Sequence, residues 1–136
     1  MNTQGKYKIS RYYDDGQLAS EVNYKDGEKD GLSKYWYENG QLWYEANHKD
    51  DEANGLYREW YKDGQLVTTL HYKDGKYDGL CKWWHKNGQL GKESNFKDGK
   101  LDGLYRKWDE NGQPEQDVNY KDGELKEVKS YIKHNL

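Results

Sequence analysis

Residues 72–90 read "YKDGKYDGLCKWWHKNGQL", with an Asp-Gly turn signal, an Asn-Gly turn signal and a tryptophan pair between them. Nearly the same phrase returns 24 positions later, at 96–114, as "FKDGKLDGLYRKWDENGQP". The same period links one glycine column (Gly31, Gly55, Gly79, Gly103) and one aromatic column (Tyr12, Trp36, Trp60, Trp84, Trp108). A fixed period of about 20 to 50 residues is typical of repeat proteins. The chain is therefore predicted to consist of repeated units.

Each unit contains two short aromatic-rich runs separated by Asn-Gly or Asp-Gly, a pattern that favours strands joined by hairpin turns. Glycine recurs too often for stable helices, and Tyr and Trp favour strands. The predicted fold is all-β: a single-layer antiparallel meander of about 10–11 strands, elongated and either twisted or curled into a half-pipe. One repeat domain is expected over 1–136, with a tail at 1–6, 24-residue repeats at 7–30, 31–54, 55–78, 79–102 and 103–126, and a capping strand at 127–136. In that strand Ile132 takes the tryptophan position.

The length of the Asn-Gly loop decides which side chains share a face of the sheet. A three-residue loop over 38–40 pairs Trp36 with Leu42 and Leu32 with Ala46, and so places tryptophan, leucine and His48 on one face. In the next unit the same face collects Leu56, Trp60, Leu66, Leu70 and Tyr72. Because an apolar face left in water is unfavourable, we expect the sheet to curl around this face or to bury it against a partner.

The Lys-Asp-Gly turns are expected to have the same construction. Residues 73–75 form a three-residue loop that brings Tyr72 opposite Lys76. In that register Trp84 lies opposite Gly64, where its ring covers the bare backbone.

Composition excludes several classes of partner. The net charge is −3, and lysines alternate with acidic residues rather than forming a basic block, which argues against nucleic acid and against charge-driven membrane binding. No stretch is apolar enough to insert into a membrane or to serve as an export signal, so a cytoplasmic location is expected. Cys81 is the only cysteine, which excludes an internal disulfide and a thiolate zinc site.

No motif indicates catalysis, a cofactor or a metal. The loops of the form Asp-Gly-x-x-Asp-Gly, such as 74–79, suggest calcium, but each offers only two aspartates, and turn formation already explains them. The four histidines do not cluster in the sequence, and His48 and His85 occupy aromatic positions of the repeat. The chain is therefore predicted to be non-enzymatic, without catalytic, cofactor-binding or metal-binding residues.

The face opposite the tryptophans varies between repeats and is rich in Tyr and Trp, which dominate interface energetics. It is predicted to bind another protein. The predicted partner-binding residues are Tyr35, Tyr37, Trp43, Tyr57, Tyr61, Trp83, His85 and Tyr105. The acidic column Glu21, Glu45, Glu93 and Asp117 is expected on the same face. Three alternatives remain open: tyrosines that merely suit strands, stacking of carbohydrate on an aromatic and acidic surface, and self-association through a sheet edge or the tryptophan face.

In "GLSKYWYENGQL" (31–42), "GLYREWYKDGQL" (55–66) and "NFKDGKLDGL" (95–104) the sequence resembles the MORN-repeat variant found in bacteria. The resemblance covers about residues 7–132. It implies an open, elongated sheet of β-hairpin repeats without a catalytic motif. Many bacterial members are similar to YwqK-type antitoxins or immunity proteins of toxin–antitoxin loci, so the resemblance implies a toxin as the protein partner. Eukaryotic relatives serve as membrane-proximal or scaffold modules.

Overall fold

The computed structural model describes residues 4–131, and the side chains of residues 4–129. The described residues form one antiparallel sheet and contain no helix. Its thirteen strands are β1 (Lys6–Tyr12), β2 (Leu18–Lys25), β3 (Glu28–Trp36), β4 (Leu42–Lys49), β5 (Glu52–Ala53), β6 (Gly55–Trp60), β7 (Leu66–Lys73), β8 (Lys76–Tyr77), β9 (Gly79–Trp84), β10 (Leu90–Lys97), β11 (Lys100–Trp108), β12 (Pro114–Lys121) and β13 (Glu124–Tyr131).

The strands follow one another across the sheet in chain order, which confirms the predicted single-layer meander. Eleven of them form the path β1-β2-β3-β4-β6-β7-β9-β10-β11-β12-β13, and the two-residue strands β5 and β8 pair with β4 and β7. Strands β1 and β13 lie at opposite edges and do not pair with each other, so the sheet is open. The predicted position of Ile132 lies outside the described residues.

The three-residue Asn-Gly loop is confirmed. At 38–40 the Tyr37 N–H donates to the Gln41 carbonyl at 2.8 Å, and the Gly40 N–H donates to the Tyr37 carbonyl at 3.0 Å. Gly40 has φ 87°, a left-handed conformation that glycine adopts at little cost. The loop brings Trp36 opposite Leu42, and the next one brings Trp60 opposite Leu66.

Beyond the loop, the predicted register is wrong by one residue. A bulge in β4 leaves Trp43 without a directly opposed residue, so that Tyr35 faces Tyr44 and Leu32 faces Asn47 rather than Ala46. Because side chains alternate between faces, one inserted residue moves the rest of the strand to the other face. Ala46 and His48 therefore lie on the face of the sheet that does not carry Trp36, and the same shift in β7 places Leu70 and Tyr72 on that face too.

The turn at 73–76 differs from the prediction, because its loop contains two residues, whereas the Lys-Asp-Gly loop at 62–64 contains three. Lys73 faces Lys76, and the intervening Asp74 and Gly75 have φ 51° and 81°. Two consecutive left-handed residues make a type I′ turn, whose twist matches that of the flanking strands. Tyr72 consequently faces Tyr77 rather than Lys76.

The expected cover of Gly64 by Trp84 is absent. Trp84 faces Leu90, and the atom nearest to the position of a Cβ on Gly64 is the Gln41 Oε1, at 3.1 Å. An aromatic ring does cover a glycine elsewhere in the sheet, because the ring of Trp83 lies against Gly91.

The register divides the side chains into two faces. The tryptophan face carries the tryptophans of the 24-residue column and the leucines opposed to them: Trp36, Leu42, Trp60, Leu66, Trp84, Leu90 and Trp108. The tyrosine face carries most of the remaining strand aromatics together with smaller side chains: Tyr7, Val22, Tyr24, Ser33, Tyr35, Tyr44, Ala46, Tyr57, Leu70, Tyr72, Tyr77, Cys81, Trp83, Ser94, Phe96, Tyr105, Val118 and Tyr120.

The deepest burial lies on the tyrosine face. Val22, Ser33 and Val118 are only 1%, 1% and 2% exposed, and all three belong to the tyrosine face. The sequence predicts instead that the tryptophan face is the buried one. In the structure the most deeply buried side chains are small and lie on the tyrosine face, among its large rings.

Candidate functional site

A continuous row of aromatic rings crosses the middle of the tyrosine face. Tyr35 stacks on Tyr44 with ring centroids 4.4 Å apart, Tyr44 stacks on Tyr57 at 5.7 Å, and Tyr57 meets Tyr72 edge-on at 6.5 Å. The row continues from Tyr72 through Tyr77 to Phe96, with two further contacts at 5.1 Å. Offset and edge-on pairs of this kind stabilise the face beyond simple burial.

Two open depressions lie along this row. The first, of about 250 Å³, is lined by Tyr35, Tyr44, His48, Tyr57 and Tyr72 among others. The second, of about 290 Å³, is lined by apolar and cationic side chains that include Leu70, Cys81, Trp83, Lys92 and Phe96. Concave apolar surface with a few polar groups is the usual form of a binding site.

The structure places the eight predicted binding residues on the tyrosine face or at the three-residue loops beside it, but not in one cluster. Trp43 and Trp83 are the most exposed, at 38% and 37%. Trp43 packs on Tyr37 and Tyr44, whereas Trp83 packs on His85, on the other side of β7. Half-buried positions within the face are held by Tyr35, Tyr57 and Tyr105.

Tyr37 and His85 have a structural role that the sequence did not reveal. The Tyr37 hydroxyl donates to the carbonyl of Trp60 at 2.7 Å, and Nε2 of His85 lies 2.8 Å from the carbonyl of Trp108. Tyr13 bonds the carbonyl of Trp36 in the same way. Each contact joins one repeat to the next, so these side chains hold the array together. Tyr61 occupies the same column, but its hydroxyl makes no hydrogen bond within the described residues.

Sequence reasoning missed Tyr44, Leu70, Tyr72 and Phe96, which line the depressions. The bulge brings them to this face, and simple alternation places them on the other. A charge pattern could have indicated the bulge. Acidic residues at 21, 45, 93 and 117 and basic residues at 34, 58, 82 and 106 form two columns that become cross-strand neighbours only in the bulged register.

The acidic column therefore lies on the tryptophan face, contrary to the prediction. Glu45 faces Lys34 on one side and Arg58 on the other, and Arg58 Nε donates to Glu45 Oε1 at 2.8 Å. Glu45 is only 8% exposed, whereas the Arg58 side chain is 43% exposed, so the carboxylate is buried and the guanidinium reaches the solvent. The guanidinium of Arg58 also lies 5.3 Å from the ring centre of Trp60.

The tyrosine face consequently has an excess of cations. Among the paired strand positions of the described residues it carries Arg11, Lys29, Lys92 and Lys107 but a single carboxylate, Glu59. That carboxylate accepts a hydrogen bond from the Tyr57 hydroxyl at 2.8 Å.

Burial raises the pKa of two phenols and of the thiol of this face. Desolvation, with contributions from Tyr35 and Glu59, raises the pKa of Tyr44 to about 12. Desolvation and the hydrogen bond with Tyr77 raise the pKa of Tyr72 to about 12. The pKa of the Cys81 thiol is also raised, chiefly by burial. These groups act as hydrogen-bond donors and apolar surface rather than as bases or nucleophiles.

On the tyrosine face, His48 is a destabilising residue, because its Nδ1 is buried and has no hydrogen-bond partner within the described residues. Burial, followed by the nearby charge of Lys29, lowers the pKa of His48, while Asp51 opposes the shift. The imidazole is therefore held neutral. No group of three or more His, Cys, Asp or Glu side chains within the described residues is arranged to hold a metal ion.

None of the described residues forms a helix of the length and apolarity needed to cross a membrane. No curated protein matches the chain. Among solved structures, the chain is similar to one reported as the crystal structure of accessory secretory protein 1,2 and 3 in Streptococcus pneumoniae, with 11% identity, a TM-score of 0.39 and 70% of this chain covered. The match spans 18% of the length of that chain.

The comparison with protein families gives a match in every repeat. Five stretches, at 5–26, 29–50, 53–74, 77–98 and 101–122, match the family described as MORN repeat variant. Their starting points are 24 residues apart, as are the glycine and tryptophan columns. The matched stretches cover most of the sheet from β1 to β12, so the chain belongs to the MORN repeat variant family.

Proposed function

We propose that this chain is a non-enzymatic protein-binding module that acts in the cytoplasm and docks a partner protein on its tyrosine face. The partner we propose is a toxin, which the chain would neutralise as an antitoxin or immunity protein. The observation that carries the proposal is the pair of exposed indoles, Trp43 and Trp83, beside two open depressions on a face otherwise packed with rings. Repeats of this family are generally protein- or membrane-binding modules.

The chemistry of the face supports binding rather than catalysis. Tyrosine and tryptophan bury large areas at little cost in side-chain entropy, and they are enriched among the residues that dominate interface energies. The raised pKa values of Tyr44, Tyr72 and Cys81 leave neutral donors where an enzyme would need an activated base or nucleophile.

Co-expression with the product of the adjacent gene in the native genome tests the toxin proposal. The adjacent product alone should arrest growth, and the wild-type chain should restore it. Trp83→Ala should weaken binding of the purified partner, measured by calorimetry, by at least about tenfold, because exposed aromatic anchors are typical hot spots. The matched control is Tyr12→Ala, which removes a 64% exposed ring from the tryptophan face. Equal binding by wild type and Trp83→Ala would refute the proposed surface.

Self-association through a sheet edge is the second candidate function, since β1 and β13 each have one unpaired side within the described residues. Light scattering over a range of protein concentrations separates the two candidates. A mass that stays monomeric favours a foreign partner, whereas a mass that rises with concentration favours self-association. Carbohydrate binding, a third possibility for an aromatic surface, should appear as quenching of tryptophan fluorescence by cell-wall fragments.

A further inference from the structure

Charge is distributed very differently on the two faces of the sheet. On the tryptophan face a row of directly opposed side chains alternates in sign, from Glu21 through Lys34 and Glu45 to Arg58, and again from Lys82 through Glu93 and Arg106 to Asp117. On the tyrosine face the paired strand positions of residues 4–129 carry four cations and one carboxylate. The chain as a whole has a net charge of −3, so this face has the opposite sign to the molecule.

The cations of the tyrosine face are also unpaired. The ion pairs of the described residues are Lys8–Glu21, Arg58–Glu45, Arg106–Asp117, Lys121–Asp102 and Lys126–Glu124. None of them involves Arg11, Lys29, Lys92 or Lys107. The only carboxylate among the paired positions of that face, Glu59, is engaged by the Tyr57 hydroxyl.

Two of these cations lie directly opposite each other beside the second depression. Lys92 in β10 pairs with Lys107 in β11 on one side and with the exposed Trp83 in β9 on the other. Like charges at directly opposed positions destabilise a sheet, and a carboxylate placed between them would relieve the repulsion. Lys92 and Trp83 both line the depression of about 290 Å³, together with the apolar side chains of Leu70 and Phe96.

We propose that the segment of the partner that docks on the tyrosine face is acidic, with Asp or Glu side chains beside an apolar one. The apolar side chain enters the depression next to Trp83, and the carboxylates pair with Lys92 and Lys107. This inference rests on the proposed function, because it names the chemistry of the partner of that same surface.

A protein segment fits better than a uniform polyanion such as nucleic acid. The two-residue turns join the strands at one end of each hairpin, and each turn has an exposed aspartate: Asp26, Asp50, Asp74, Asp98 and Asp122. A polyanion that extends across the face would meet this row, whereas a short acidic segment can lie between the lysines without reaching it. The dispersed cations also lack the clustering that counterion release requires.

The test uses the full chain and a short fluorescein-labelled peptide in which Asp and Glu alternate with Leu and Phe. Its counterpart has Asn and Gln in place of the acids. The double variant Lys92→Gln/Lys107→Gln should bind the acidic peptide about tenfold more weakly, as expected for the loss of two exposed charge pairs. The matched control is Lys97→Gln/Lys100→Gln, an opposed lysine pair in the same two strands but on the tryptophan face, which should bind like the wild type.

The remaining arms separate failure of this inference from failure of the proposed surface. Equal binding of the acidic and neutral peptides, with both weakened by Trp83→Ala, would retain the tyrosine face as a binding surface and overturn its preference for acidic segments. Binding of the acidic peptide that is unaffected by Trp83→Ala would refute the surface itself. Absence of binding by both peptides overturns the acidic preference. Tighter binding of phosphatidylserine vesicles or of single-stranded oligothymidylate than of the acidic peptide overturns it as well.

Discussion

The indole of Trp83 occupies the space that a side chain at Gly91 would need. A Cβ built on Gly91 would lie 2.6 Å from both Cε3 and Cζ3 of Trp83 and 2.9 Å from Nε2 of His85. Gly91 sits at the bulge of β10, in the position that Trp43 occupies in β4. The two exposed indoles of the tyrosine face therefore reach it from different columns of the repeat, one at the bulge and one beside it.

Gly91→Ala should destabilise the fold by about 1–3 kcal/mol, because the added methyl group forces the ring of Trp83 out of its position. Urea denaturation of the single and double variants measures the effect. In the Trp83→Ala background the same change should cost about 1 kcal/mol less, which is the coupling between two side chains in contact. The same cost in both backgrounds would show that the ring does not depend on the glycine.

Tyr37→Phe should lower the free energy of unfolding by about 1 kcal/mol, since it removes a half-buried hydrogen bond to the carbonyl of Trp60. Tyr61→Phe is the matched control in the same column, because its hydroxyl makes no hydrogen bond within the described residues. It should leave stability unchanged in thermal denaturation. Similar losses in both variants would mean that the hydroxyls act through solvation rather than through this bond.

Arg58→Met should destabilise the sheet by about 2 kcal/mol, because it leaves the buried carboxylate of Glu45 without its charged donor. Arg106→Met provides the comparison in the same row. The Nε of Arg106 lies 3.6 Å from Asp117 Oδ1 without a hydrogen bond, so its loss should cost less. The double variant Arg58→Met/Glu45→Gln should be more stable than Arg58→Met in chemical denaturation, because it no longer buries an unpaired charge. A double variant no more stable than Arg58→Met would argue against the ion pair as the cause.

Stability should fall in acid in a way that depends on His48. Its pKa in the folded chain is below the ordinary value of 6.5, so the unfolded chain binds the proton more tightly. The contribution of His48 is therefore fully present above about pH 6.5 and is lost as the pH falls through that value towards the lower pKa of the folded state. His48→Phe, the residue that Phe96 supplies in the same column, should flatten this dependence in urea denaturation between about pH 8 and pH 5. An unchanged pH dependence in His48→Phe would contradict it.

The sequence predicted the parts of the fold that local chemistry determines. The Asn-Gly loop at 38–40 followed from turn residues and from the need to bring Trp36 and Leu42 together, and the meander followed from the repeat. The bulge at Trp43 could not be predicted from alternation, because an inserted residue leaves the local pattern of large and small side chains intact. Its signature lies between strands, in the opposed charges of Glu45 and Arg58.

The candidate site was affected by the same limit. Trp83 and Tyr57 were assigned to the tyrosine face because they precede the bulges, whereas Tyr44 and Tyr72 follow them and were placed on the wrong side. The hydrogen bond from Tyr37 to Trp60 joins residues in successive repeats, and no pattern within one repeat indicates it. The strand positions among the predicted residues therefore lie on one face, but the residues that line its depressions and the charge of that face were not predicted.

The path of eleven consecutive antiparallel strands has an odd number of members, so β1 and β13 run in the same direction. A second copy added head-to-tail would meet this edge with a strand in parallel orientation, whereas every internal junction is antiparallel. Parallel pairing is less stable per residue and does not continue the hydrogen-bond spacing of the sheet. Strand parity thus works against head-to-tail addition of copies, whereas two like edges related by a twofold axis would keep the strands antiparallel.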